Sequence, residues 1–211
     1  MPVPIVYRKS GEQSIATYDY FDIADGTGIK AFYMAAISGA THMLTSNQIY
    51  SDVVQTDTLS VALTFNLMHS KTFQTTFNLP RIIKGDVLLN VGLGVTSDGT
   101  GDFRTYARGV ITKTSGGVDT TLGSLSGNNV LQAGVGTNAQ VNLIKITVPL
   151  TKFKKEDVLK IKIDQYGLRA SGGGVSTFFL GHDPKGRDPS SVFGTTSTST
   201  SQAYIPFVLD L

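Results

Sequence analysis

Ser176, His182 and Asp183 lie within eight residues of one another, and together they are the nearest the chain comes to a nucleophile, a base and an orienting acid. Acyl transfer by such a trio needs one hydrogen-bonded line of side chains. The glycine-flanked serine of a nucleophile elbow is absent, so His182-Asp183 reads as a turn whose carboxylate bonds its own backbone ahead of Pro184. Asp98-Gly99-Thr100-Gly101-Asp102 offers oxygens at a spacing calcium could use, but no Glu closes the loop, and a hairpin tip is the simpler reading. Asp19, Asp22 and Asp25 read as strand-edge and turn residues. Gly92-Leu93-Gly94-Val95 resembles part of a dinucleotide fingerprint, yet it sits inside a strand pattern and lacks the third glycine. Lys84-Gly85-Asp86 reads as a turn between apolar strands. Tyr18, Tyr20, Phe32 and Tyr33 could line a sugar platform, but core and sheet-face packing is the favoured reading. No residue is assigned a catalytic, cofactor-binding or metal-binding role, no cofactor is expected, and the chain reads as not an enzyme.

The elements that would carry these residues are strands. The stretch 144–166 shows it best. Ile144, Ile146, Val148 and Leu150 share one parity and Lys145 and Thr147 the other; after a polar connector at 151–157, Leu159, Ile161 and Ile163 alternate with Lys160, Lys162 and Asp164. Side chains on a strand point alternately to opposite faces, so each segment can bury one face and wet the other. The expectation is two consecutive antiparallel strands with Phe153 tucked beneath their connector. A strand over 29–37 is apolar on both faces and therefore central. Val61, Leu63, Phe65 and Leu67 predict an inward face, as do Phe73, Phe77 and Leu79 up to Pro80, and Leu89, Val91, Leu93 and Val95. Further strands follow over 103–113, 118–122 and 175–181, with a partial strand and a long loop in 41–60 and a loop at 123–139. Pro206 hints that the last strand, 205–211, is an edge. Apolar spacings of three and four persist nowhere. The fold class is all-β, an antiparallel, jelly-roll-like β-sandwich, with an extended arm at 1–12 and a single domain at 13–211.

Composition narrows the function classes. Charged residues make up 16% of 211, against about 25% in ordinary soluble domains, so Ser, Thr, Asn, Gln and Gly must form much of the surface. A net charge of +2 and the absence of a basic stripe disfavour nucleic acid as a partner. Lys152, Lys154 and Lys155, the tightest basic group, fall in a connector and read as solvated. Without cysteine there is no disulfide framework or thiolate chemistry. No secretory leader is recognisable at the N-terminus, and no run approaches the roughly 18 apolar residues of a membrane helix. Synthesis in a reducing cytoplasm and no membrane partner are the expectations.

Several short stretches in order along the chain carry a resemblance. They are 18–28 (YDYFDIADGTG), 77–80 with 84–86 (FNLP, KGD), 148–157 (VPLTKFKKED), 181–187 (GHDPKGR) and 205–211 (IPFVLDL). Together they resemble a family of tailed-bacteriophage structural proteins folded as β-sandwiches. Glu156-Asp157 departs from the pattern, where a tight turn would carry glycine. The resemblance implies a virion component, non-enzymatic, capsid-associated or decorating, and contacting other virion proteins as a homo-oligomer. A tail or fibre component that binds a host receptor or glycan is the alternative, and a hydrolase of surface polymers ranks third.

Overall fold

The computed structural model describes residues 27–37, 41–46, 55–59, 64–182 and 201–208; the arm at 1–12, Tyr18, Tyr20, Asp19, Asp22, Asp25 and Asp183 lie outside them. Among the described residues every regular element is a strand, and the all-β expectation holds: β1 Thr27–Ile37, β2 Thr41–Thr45, β3 Gln55–Leu59, β4 Asn66–Thr76, β5 Arg81–Ser97, β6 Asp102–Ser115, β7 Val118–Ser126, β8 Val130–Ala133, β9 Gly136–Phe153, β10 Val158–Ser171, β11 Ser176–Gly181 and β12 Gln202–Val208. They pair along one path, β3-β11-β5-β12-β1-β2-β4-β10-β6-β7, with β9 on the other edge of β5 and β8 on β6. Pairing is antiparallel except for a single parallel bridge, Met43↔Gln74, between β2 and β4.

The path doubles back to make a sandwich. Val87, Leu89 and Val91 of β5 and Ile144, Ile146 and Val148 of β9 share one buried cluster with Ala107 and Ile111 of β6, Leu159, Ile161 and Ile163 of β10 and Phe73 of β4. Each large side chain so buried contributes roughly 1.5–3 kcal/mol. A smaller cluster, Val95, Phe103 and Phe178 with Met68 against it, fills one end. The layers sit close: a Cβ at Gly109 of β6 would lie 2.6 Å from Leu89 Cδ1 on β5.

Three expectations change. β9 and β10 do not pair with each other; β9 pairs β5, and β10 lies between β4 and β6. Their connector crosses from one layer to the other, with Phe153 buried beneath it as expected. Lys84-Gly85-Asp86 is no turn. It lies inside β5, where Gly85 at φ 111° takes up a register shift against β9, the kind of bulge that needs a glycine. β12 is central, between β1 and β5. Pro206, opposite Ile29 of β1, falls where the pairing with β5 shifts register between Tyr204 and Phe207, the kind of irregularity to which a proline within a sheet is confined. In 41–60 the expected partial strand is β2 and a further strand, β3, forms in place of the expected loop; the segment 123–139, read as a loop, contains β8 and the start of β9.

Candidate functional site

Among the described residues, those first suspected of chemistry are not brought together. Ser176 and His182 sit at opposite ends of β11, separated by about 20 Å at strand rise. The Ser176 hydroxyl is buried and donates to Thr96 O at 2.8 Å. Asp98 accepts from the Val175 amide at 2.7 Å, tying the 98–101 loop to the 172–175 loop. Asp102 begins β6, and among the described residues no group of acidic or histidine side chains could hold a metal ion. Gly92 and Gly94 are buried within β5, opposite Gly181 and Phe179 of β11. Phe32 is core and offers no platform, and Tyr33 is half-buried.

His182 joins a different group. Its ring lies 5.9 Å from those of His42 on β2 and Phe73 on β4, and it is 2% exposed. His69, also on β4, places Nε2 3.5 Å from Phe178 O. The chain's three histidines thus gather around the joint that holds only one parallel bridge. Among the described residues neither His182 ring nitrogen has a hydrogen-bond partner. Burial first, then the charges of His42, Lys71 and His69, push its pKa down to about 4, so the imidazole is neutral near pH 7.

The arrangement best suited to contact a ligand is on the outer face of the β4-β10-β6 layer. Tyr106 and Tyr166 are directly opposite each other in the β6–β10 ladder, and their rings stack at 5.0 Å and 14°. Phe65 meets the Tyr106 ring edge-on at 4.8 Å, and Leu67 stands across from Tyr166. Phe65 is 37% and Leu67 52% exposed. Parity had placed both inward. The β4–β10 pairing shifts register between Gln165 and Tyr166, passing over Met68, and the bulge packs Met68 against the core while turning Leu67 and Phe65 out. Beneath the ridge, Thr105 donates to Tyr166 O at 2.8 Å and Gln165 Nε2 to Thr105 Oγ1 at 3.0 Å and Phe179 O at 3.1 Å, which fixes β6, β10 and β11 relative to one another.

Charge frames this ridge. Arg104 and Arg108, exposed, flank Tyr106 on the same parity of β6. Burial, then Tyr166, raises the Tyr106 hydroxyl pKa above its usual value, and Arg108 partly opposes them. Lys160 is paired with Asp119 and Lys162 with Asp164, each at 3.0 Å. Asp164 also accepts from Ser70 at 2.7 Å, which explains why an outward carboxylate is only 5% exposed. The signal for the site was present in the sequence as Tyr166 sharing parity with Lys160 and Lys162; Tyr106 and the bulge were not picked out.

No family model and no curated protein sequence matches the chain, so nothing supports the tailed-bacteriophage family in particular. Among solved structures, the chain is similar to a CocE/NonD family hydrolase from Staphylococcus aureus (12% identity, TM-score 0.47, covering 87% of this chain and 37% of that one). It is also similar to an aminopeptidase from a marine sediment archaeon of the Thaumarchaeota (8%, 0.49, 85% and 37%). The infectious bursal disease virus Gt strain structure aligns more weakly (8%, 0.30, 88% and 38%). The chain thus spans a little over a third of the chains it matches. One expectation is corrected by this comparison: "not an enzyme" does not stand, because the foremost of these structural neighbours are hydrolases.

Proposed function

We propose that the chain is a structural component of a virus particle, a capsid-associated or decorating β-sandwich that works through contacts with other virion proteins and with copies of itself. The observation carrying this reading is where the exposed apolar side chains lie. Val118 and Leu125 of β7, Val141, Leu143 and Leu150 of β9, and Val135 just before β9 are all well exposed. Among the described residues the backbone ladder of β9 is formed only with β5 and that of β7 only with β6, so both present a backbone edge with no further strand on it beside these side chains. Natural edge strands are usually blunted with charge because such edges recruit other chains. Here the outer parity of β9 alternates Val141 and Leu143 with the buried Asn142 and Ile144, a pattern suited to strand addition or sheet packing in a symmetric oligomer.

Size-exclusion chromatography with light scattering tests this. The full chain is expected to self-associate in a concentration-dependent way. Val141→Lys with Leu143→Lys should abolish that while leaving the far-ultraviolet circular dichroism unchanged. A parent chain that stays monomeric at high concentration and fails to bind purified virions overturns the reading.

A further inference from the structure

The aromatic ridge lies on a different surface from the β7–β9 rim and is not used by the assembly reading. We propose that this outer face, centred on Tyr106 and Tyr166 with Phe65 and Leu67 beside them and Arg104 and Arg108 flanking, binds an acidic polysaccharide.

Three features of the face fit such a polymer. First, the ridge offers apolar ring and methyl surface at 37% and 52% exposure for Phe65 and Leu67, and the C–H faces of a pyranose pack against such surface while its hydroxyls stay wet. Two stacked tyrosines on adjacent central strands, braced from below by the Thr105 and Gln165 hydrogen bonds, lose little freedom on binding. Second, the charge is complementary. The lysines of the same face are already matched by Asp119 and Asp164, whereas Arg104 and Arg108 have no carboxylate within salt-bridge distance among the described residues. A guanidinium takes a carboxylate or sulfate through two parallel hydrogen bonds. Third, the spacing favours a chain over a single sugar. Arg104 and Arg108 are four residues apart on one strand, about 13 Å, with Tyr106 between them, so only a ligand several sugars long can meet both arginines and the rings at once.

Single-stranded nucleic acid also stacks on aromatic side chains, but its binders carry cations along the whole backbone track. Here two of the four cations on the face are neutralised, which leaves Arg104 and Arg108 about 13 Å apart, too sparse a track for a phosphate at every nucleotide. The remaining surface, Ser70, Thr72, Gln74 and Thr112, is uncharged and exposed or half-buried, which suits sugar hydroxyls.

The test is isothermal titration of the full chain with polygalacturonate and hyaluronan, with neutral dextran and an oligothymidylate in parallel. Binding to an acidic glycan is expected, weakening as salt rises, with dextran at least tenfold weaker. Tyr106→Ala and Arg108→Ala should each reduce affinity about tenfold or more while the melting temperature of each variant certifies the fold, and Tyr106→Phe should retain binding. Absence of binding to both acidic polymers, tighter binding of the oligothymidylate, or binding untouched by Tyr106→Ala and Arg108→Ala in folded protein overturns the proposal. Loss of self-association in the Val141→Lys/Leu143→Lys variant leaves this titration unaffected, so failure of the two readings can be told apart.

Discussion

Gly99 and Gly174 meet backbone to backbone: a Cβ at position 99 would lie 2.4 Å from the Gly174 Cα. The two loops are further joined by Gly101 N donating to Gly173 O at 3.0 Å and by the Asp98 carboxylate on the Val175 amide. The intruding atom would be main chain, which cannot rotate aside. Gly99→Ala is therefore expected to destabilise by about 1–3 kcal/mol, read as a drop in Tm of roughly 2–4 °C for each kcal/mol. An unchanged melting curve would mean that these loops are not docked.

Phe153 is the plug under the crossing between layers. It is 1% exposed, packs edge-on against Phe77 at 5.1 Å, and lies under the Lys113 ammonium at 5.3 Å from its centroid. Phe153→Ala should cost about 3–5 kcal/mol in urea unfolding. Phe153→Leu keeps most of the volume and should cost less than half of that.

Glu156 is the one described non-glycine residue with positive φ, at 71°. Its amide donates to Phe77 O at 2.7 Å, and Asp157 O accepts from the Phe77 amide at 3.0 Å, so the connector is clamped in that shape. A left-handed conformation costs an ordinary residue roughly 1–2 kcal/mol. Glu156→Gly should raise stability by about 1 kcal/mol and Glu156→Val should lower it, both by equilibrium unfolding.

Acid sensitivity should centre on His182. Its folded pKa of about 4 is below the ordinary 6.5, so between those values the unfolded chain binds more protons than the folded one. The stability tied to the neutral ring is full above pH 6.5, falls as pH drops toward 4, and amounts to about 3 kcal/mol for a shift of this size. His182→Leu should flatten the stability profile across that window. Hydrogen exchange should show the first loss of protection in β2, which reaches β4 through one bridge beside His42. A profile as steep in the variant as in the parent would move the sensitivity elsewhere.

Much of the sandwich was legible wherever alternation ran unbroken. Leu89, Val91, Leu93 and Val95 are all 0% exposed, and Ile144, Ile146 and Val148 at most 3%, as their parity says. Leu150, 56% exposed, shows parity failing at the β5–β9 register shift between Ile83 and Gly85, past which the buried residue is the odd-numbered Phe153. Two bulges account for larger misreadings. The one at Met68 reverses the sense of Phe65 and Leu67, and the one at Gly85 disguises a continuous strand as a turn. A bulge is one extra residue judged against a partner strand, and the partner is not written next to it in the chain. The same blindness hid the candidate site, because Tyr106 and Tyr166 meet only through the β6–β10 register. Early β9 escaped notice since Gly136 and Asn138 there are held by ladder bonds rather than by propensity, and β8 because its four residues lie between Asn128-Asn129 and Gly134.

β12 is wedged between β1 and β5, which gives the architecture a temporal order. The first described strand and the long fifth one cannot be joined until residues 202–208 have left the ribosome, and β5 waits some forty residues for its other neighbour, β9. Nascent chains must therefore carry open ladders through most of synthesis. Such distant pairings are slow to form, on the order of milliseconds to seconds, and this makes the newborn protein a natural client for chaperones.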